Sequence, residues 1–229
     1  MKKINLSSEL AYIIGVVFLA LSVAIVSAAD FGVSMVVAPA YILSLKVGFL
    51  TFGQSEYVVG AILFTLLCII VKRIKPTYFF SFFTCLFYGA VLDLFRLIPM
   101  FNPEVCPPSS YNFFVRIIFF IEGELITTFS VAMAFKTYLY PQVNDFFVKG
   151  IAVNKNLDLP KLKRIYDFSF FAIGVIMSLT LFGKFVGIGV GTVILTAING
   201  VLIGFFSKLI DKIFIIKPSF PKIAKYFEI

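Results

Sequence analysis

The chain has 229 residues, of which 60% are hydrophobic and 14% are charged, and its formal net charge is +8. A soluble domain carries about 25% charged residues, so this composition excludes a water-soluble globular protein. The chain contains no histidine, which excludes imidazole bases, histidine metal ligands and histidine-based triads. Cys68, Cys85 and Cys106 form no CxxC pair, and no glycine-rich phosphate loop follows a strand. The sequence predicts an integral membrane protein with no enzyme activity, cofactor or metal.

Apolar runs long enough to cross a bilayer recur along the chain. Six spans are predicted, at 10–29, 56–71, 78–98, 113–135, 167–182 and 185–210. Two shorter apolar stretches, 32–45 and 138–153, contain Pro39 and Pro141. They are predicted to be half-helices, either re-entrant or interfacial. The expected fold is therefore all-α and polytopic, with one transmembrane domain and a cytoplasmic tail at 212–229.

The beginning of the chain has two interpretations. Lys2 and Lys3, the first apolar run and Ser27-Ala28-Ala29 together resemble a cleavable signal peptide. Cleavage would remove a span from an even set, so we expect the first span to be retained.

The two halves of the chain share one spacing pattern. Asp167 lies 111 residues after Glu56, and the same offset pairs Ser81 with Thr192 and Gly89 with Gly200. Repeat 1 covers about 10–98 and repeat 2 about 113–211. Each contains three spans, so the second copy would enter the membrane upside down, as in inverted-repeat transporters. Paired glycines indicate close helix crossings; Gly60 pairs with Phe171 and is expected to tolerate larger side chains better.

The basic residues orient the predicted bundle. Sixteen of the twenty lysine and arginine residues fall before the first span, in the second and fourth connections or in the tail; the others are Lys46, Arg96, Arg116 and Lys184. By the positive-inside rule, the sixteen and both termini are cytoplasmic. Anionic lipid accounts for the positive charge, so no nucleic-acid partner is expected.

Charged residues at membrane depth are costly and indicate function. Glu122 and Glu124 lie inside the fourth span, and side chains two positions apart point to different sides of a helix. At least one should face a cavity or a basic partner, for which Arg116 is nearest in sequence. Asp93 and Arg96 share a helical face and can pair, either at a site or as a neutral link between helices.

The remaining candidates are uncharged or lie near predicted span ends. Gln54 and Glu56 begin the second span, Tyr88 lies beside Gly89, and Asn199 lies within the sixth span. Asp30, Glu56, Asp167 and Asp211 lie near span ends, where a carboxylate can reach water or headgroups. For these four, a structural role is the first interpretation.

Several short stretches carry a family resemblance. They are TFGQSEY at 51–57, SFFTCLFYGAVLD at 81–93, KRIYD at 163–167, GIGVGT at 187–192 and NG at 199–200. In order and spacing, they resemble the YczE/YitT-type family of bacterial membrane proteins. The resemblance runs over nearly the whole chain. It implies a multi-spanning protein of the bacterial plasma membrane and no established substrate.

The leading hypothesis is a small transporter or exporter with a solute site between inverted repeats. The site would be lined by Glu122, Glu124, Asp93, Arg96, Arg116, Gln54, Glu56, Asn199 and Tyr88. Its carboxylates would bind a cationic group or carry protons. The solute and the oligomeric state are open, and membrane lipid is an expected partner.

Two alternatives belong to other classes. The small-residue stripe Ala20, Ala24 and Ala28 is typical of a packing face. It would suit a substrate-binding subunit of an energy-coupling-factor-like transporter that docks on an ATPase partner. A regulatory or scaffolding protein would instead use the buried charges only for helix association.

The charge distribution makes topology testable. Reporters fused after Lys75, Lys155 and Ile229 should all read cytoplasmic, and one after Pro103 should read external, because the basic connections stay inside. Paired alkaline phosphatase and fluorescent-protein fusions measure this. An opposite reading at any of the four points would overturn the six-span topology.

Overall fold

The computed structural model describes residues 3–72 and 75–227, so Lys2, Arg73 and Ile229 lie outside the described residues. The helices are α1 (Ser8–Ala29), α2 (Ala38–Lys46), α3 (Phe52–Val71), α4 (Phe79–Arg96), α5 (Phe113–Phe135), α6 (Val143–Lys155), α7 (Leu159–Phe182), α8 (Val190–Ile213) and α9 (Pro221–Ala224). The strands are β1 (Ile4–Ser7) and β2 (Phe214–Lys217). Six of these helices are long and apolar enough to cross a membrane: α1, α3, α4 with the 3-10 turn before it, α5, α7 and α8.

The pair of strands is an addition to the predicted all-α fold. β1 and β2 pair in parallel from Ile4 with Phe214 to Ser7 with Lys217, which brings the start of α1 beside the end of α8. We call this the strand end of the bundle. Glu9 accepts a hydrogen bond there from the Tyr138 hydroxyl at 2.9 Å and from the Ser219 amide at 3.1 Å. Burial and the Glu9 carboxylate raise the pKa of Tyr138 to about 12, so its phenol stays protonated and donates at neutral pH.

Helix α1 is the centre of the bundle. It packs antiparallel against α5, since Gly15 lies beside Ser130 and Gly123 lies beside Val26, and it contacts α4 on another side. Gly123 permits the close approach of α5, because a Cβ there would lie 2.5 Å from Val26 Cγ2. Ala20, Ala24 and Ala28 are fully buried. The alanine stripe is therefore used inside this chain and offers no free surface for an ATPase partner.

Two spans begin earlier than the apolar runs predict, because capping residues precede the runs. The Thr51 hydroxyl accepts from the Gln54 amide, and the Gln54 side chain accepts from the Thr51 amide, forming a capping box. Asp158 caps α7 by accepting from the Lys161 amide at 2.7 Å. As a result Asp167 lies two turns inside α7, and the expectation that it lies at a span end is wrong. Glu56 lies in the second turn of α3, but it is buried, so the expectation that its carboxylate reaches water or headgroups is wrong.

The expectation for the glycines is wrong at Gly200 and at Gly60, because Gly200 is in open space and Gly60 is at a close contact. A Cβ at Gly89 would lie 2.8 Å from Gly53 O, so α3 and α4 do cross closely there. A Cβ at Gly60 would lie 2.6 Å from the Cys85 sulfur, at the same helix pair. At Gly200 no described atom lies within 4 Å of that position. The cause is that α8 packs on α5 and makes little direct contact with α7 over the described residues.

Alanine substitutions distinguish the two glycine environments. Gly89→Ala should cost about 1–3 kcal/mol of folding free energy, because the added methyl group overpacks the α3–α4 crossing. Gly200→Ala should be neutral or slightly stabilising, since alanine is the better helix former in open space. Thermal unfolding of the two purified variants measures the difference. A destabilised Gly200→Ala with an unaffected Gly89→Ala would contradict this packing.

Candidate functional site

A large cavity lies among α1, α5, α6, α7 and α8. Its volume is about 670 Å³, which is within the range of about 300–1,000 Å³ typical of small-molecule sites. Its lining is mostly aliphatic and includes exposed residues of α7 and α8, such as Leu159, Thr196 and Gly200. The cavity therefore communicates with the outside through the gap between these two helices.

Both short helices begin at the cavity wall. Residues 33–37 lead into α2, and residues 141–145 lead into the first turn of α6. Side chains from both segments line the cavity. The first segment is held by α8: the Gly191 amide donates to Phe31 O and the Thr192 hydroxyl donates to Val33 O, both at 2.8 Å. Each short helix is a separate element that follows a complete long helix, and the chain leading into it forms part of the cavity wall.

Glu124 is the carboxylate that α5 presents to the cavity. Its side chain is buried and contacts the side-chain amide of Asn199 on α8. With its nitrogen turned toward Glu124, the Asn199 amide donates to the carboxylate and to Leu195 O. An amide is a neutral partner, so it leaves the negative charge of an ionised Glu124 uncompensated.

A charged triad forms the opposite wall. Lys163 Nζ lies 3.0 Å from Asp167 Oδ1 and 3.5 Å from Asp145 Oδ1, and all three residues line the cavity. The lysine is thus shared by two carboxylates. No group of three or more metal-ligating side chains occurs over the described part of the chain.

Glu56 lies behind this wall. It is almost completely buried, its side chain lies beside that of Asn144, and its Oε1 atom has no hydrogen-bond partner among the described residues. Asn144 lines the cavity and accepts from the Tyr166 hydroxyl at 3.3 Å. The Glu56 carboxylate therefore connects to the cavity through one amide rather than facing it directly.

Two residues of the cavity lining carry a buried polar atom without a partner. Tyr88 Oη and Gln142 Oε1 have no hydrogen-bond partner among the described residues, and both side chains are more than nine-tenths buried. Both residues line the cavity, and the two atoms lie behind its surface. Leaving such a group unsatisfied costs about 1–3 kcal/mol.

The expected pairing of Asp93 with Arg96 is wrong. Asp93 accepts from the Thr51 hydroxyl at 2.5 Å and from the Gly53 amide at 2.8 Å, which joins α4 to the start of α3. Arg96 instead reaches Glu104 at 3.5 Å and lies over the Phe52 ring. Both side chains stabilise the end of the bundle opposite the strands, and neither lines the cavity.

Arg116, Gln54 and Glu122 also lie away from the cavity. Arg116 binds Ala29 O at 2.8 Å and the Asp30 carboxylate at 3.5 Å, so it is not the partner of Glu122 or Glu124. Arg116 lies far from Glu124 because two turns of α5 separate the two residues. Gln54 forms the α3 cap. Glu122 is exposed on the outer side of α5, so only Glu124 of this pair faces the cavity.

Of the nine candidates, Glu124, Asn199 and Tyr88 line the cavity and Glu56 lies one side chain away. Sequence reasoning missed Gln142, Asn144, Asp145 and Lys163, and it assigned Asp167 to a span end. The i, i+4 spacing of Lys163 and Asp167 was a readable signal of an ion pair on one helix face. The other residues had no local signal, because their role depends on where α6 begins.

Comparisons with known proteins give a family and no function. No curated protein and no solved structure matches the chain. Residues 6–208 match the model of the family described as "Family of unknown function (DUF6198)". Because the match extends over most of the chain, the protein belongs to the DUF6198 family.

Proposed function

We propose that the protein transports a small solute and that the cavity containing Glu124 and Asn199 is its substrate site. The single observation that carries the proposal is a buried carboxylate halfway along a membrane-spanning helix, facing an accessible cavity with only a neutral partner. Such a group is expensive in a membrane unless it serves binding or proton transfer.

The order and packing of the helices support two inverted repeats. A long helix, a short one and two long ones occur in α1–α4 and again in α5–α8. The offset of 111 residues places the end of α3 on the end of α7 and the start of α4 on the start of α8. The contacts of α1 with α4 and of α2 with α7 have counterparts in α5 with α8 and α6 with α3.

The two halves differ in one hairpin. α3 and α4 are closely packed, whereas their counterparts α7 and α8 diverge and leave the opening of the cavity. Together with the positive-inside rule, which puts the strand end in the cytoplasm of a bacterial cell, this arrangement suits a transporter that alternates access between the two sides.

The alternatives gain less support. The alanine stripe expected to dock an ATPase subunit is buried, and a scaffold has no need of an accessible cavity with unpartnered polar groups. A stable complex with ATPase subunits would favour a binding subunit. The resemblance to the YczE/YitT-type family stays a prediction.

Flux measurements with matched variants test the proposal. Vesicles containing the purified protein are incubated with a mixture of amines, amino acids, carboxylic acids and sugars, and their contents are measured by mass spectrometry. At least one solute should accumulate over empty vesicles. Glu124→Gln should lower that flux at least tenfold, because it removes the charge that faces the cavity.

Glu122→Gln is the control, because Glu122 is on the same helix but outside the cavity. It should leave the flux within about twofold of wild type, as expected for an exposed change without a partner in the site. Flux that is unaffected by Glu124→Gln would contradict the assignment of the site.

A further inference from the structure

We infer that the cavity binds an amphipathic organic amine in its protonated form, with the ammonium group at Glu124 and the apolar part against α1. This inference rests on the proposed function and names its substrate class. It follows from three features of the cavity: the kind of polar atom left without a partner, the balance of charge, and the apolar wall.

Two of the polar groups at the cavity wall can only accept hydrogen bonds. Gln142 Oε1 has no partner, and the Glu124 carboxylate has accepting positions beyond those used by Asn199, whereas Tyr88 Oη can donate or accept. A ligand that satisfies the carboxylate and the amide oxygen must bring donors. An ammonium group has up to three N–H donors and pairs with a carboxylate in a charge-assisted hydrogen bond.

The charge balance inside the cavity also favours a cation. Three carboxylates line it, those of Glu124, Asp145 and Asp167. Lys163 is the cation placed among them, and its ammonium already contacts both aspartates. Lys149 also lines the cavity, but its residue is exposed to the outside. The two aspartates and Lys163 together carry one negative charge, and Glu124 adds a second one that has only an amide as partner. Both charges favour a cation, and Glu124 is the carboxylate without a basic neighbour.

The wall formed by α1 and the α1–α2 connection is aliphatic. Val23, Val26, Val33 and Val37 are buried and line the cavity. An apolar body placed against them gains burial free energy of about 25 cal/mol per Å² removed from water. A small inorganic cation would leave this surface and most of the 670 Å³ unused, which favours an organic cation.

A competing ligand class is an organic anion. The start of α6 carries no side-chain cap, and the positive end of a helix dipole attracts anions. Asp145 lies in the first turn of α6 and lines the same cavity, so it opposes an anion at this place. The two classes are distinguished directly by the choice of probes.

Three probes of similar shape distinguish the effect of ligand charge on affinity from the effect of apolar burial. The full chain, purified in detergent, is titrated with 4-phenylbutylamine, 4-phenylbutanol and 4-phenylbutyrate at pH 7, and binding is measured by calorimetry. We expect the amine to bind at least tenfold more tightly than the alcohol, and the carboxylate to bind most weakly. A tenfold difference corresponds to about 1.4 kcal/mol, which a hydrogen bond to a charged group can supply.

Variants test whether the preference for the amine depends on Glu124 and Tyr88. Glu124→Gln should lower amine affinity at least tenfold and leave alcohol affinity within about twofold, because only the charge is removed. Glu122→Gln should change neither. Tyr88→Phe should weaken the amine about threefold, consistent with the loss of one neutral hydrogen bond. Size-exclusion profiles and unfolding temperatures identify any variant that fails to fold, and Tyr88→Phe then supplies the second test.

Several outcomes would overturn the inference: equal affinity for amine and alcohol, tightest binding of the carboxylate, no binding of any probe, or an unchanged amine affinity in Glu124→Gln. The proposed function is tested separately by the flux measurement. Glu124-dependent flux of an anionic or neutral solute in the vesicle mixture would retain the transporter and reject the amine. Amine binding without flux of any solute would retain the ligand class and reject transport.

Discussion

A charged side chain inside a bilayer is costly unless it finds an opposite charge, reaches water or faces a cavity. This constraint accounts for most charged groups of the spanning helices, although Glu56, buried beside Asn144, and Glu122, on the outer side of α5, are exceptions. Arg96 and Arg116 meet the constraint near the end of the bundle opposite the strands, with Glu104 and Asp30. Lys136 meets it near the strand end with Asp211, at 2.5 Å. Glu124 lies between these levels with no basic partner among the described residues. A cavity is the remaining way to accommodate it, and a cavity is found there.

The packing of the helices explains where the cavity forms. α3 and α4 are drawn together by Gly53 and Gly89 and joined by the hydrogen bonds of Asp93. The counterpart of Asp93 under the repeat offset is Gly204, which has no described atom within 4 Å of a Cβ position. Lacking such a link, α8 lies apart from α7, and the space between them exposes Glu124 and Asn199 to a ligand.

The sequence was sufficient to predict the membrane class and the number of spans, because each span is a nearly continuous apolar run. The span at 113–135 was predicted with its observed bounds, whereas α7 extends back to Leu159 because Asp158 caps it. The strands were missed, since segments of four residues have little periodicity and pair across nearly the whole chain. Helix signals are local, whereas this pairing is not.

The candidate site was predictable only in part, for the same reason. Helical spacing indicated that Glu122 and Glu124 face different sides, and Glu124 does face the cavity. Spacing also suggested that Asp93 pairs with Arg96. Instead, Asp93 accepts a hydrogen bond from the start of α3, and Arg96 pairs with Glu104 in the following loop. Gln142 became a site residue only because the chain before α6 is unwound at the cavity wall.

Measuring the access of water to the cavity tests the proposed binding site most directly. In a background with the three cysteines replaced by alanine, Thr196→Cys places a thiol in the cavity and Val201→Cys places one on the exposed outer face of the same helix. The rate of modification by a cationic methanethiosulfonate is measured in nanodiscs. Thr196→Cys should react at least tenfold faster than Val201→Cys. Equal rates, or faster reaction of Val201→Cys, would contradict a water-accessible cavity between α7 and α8.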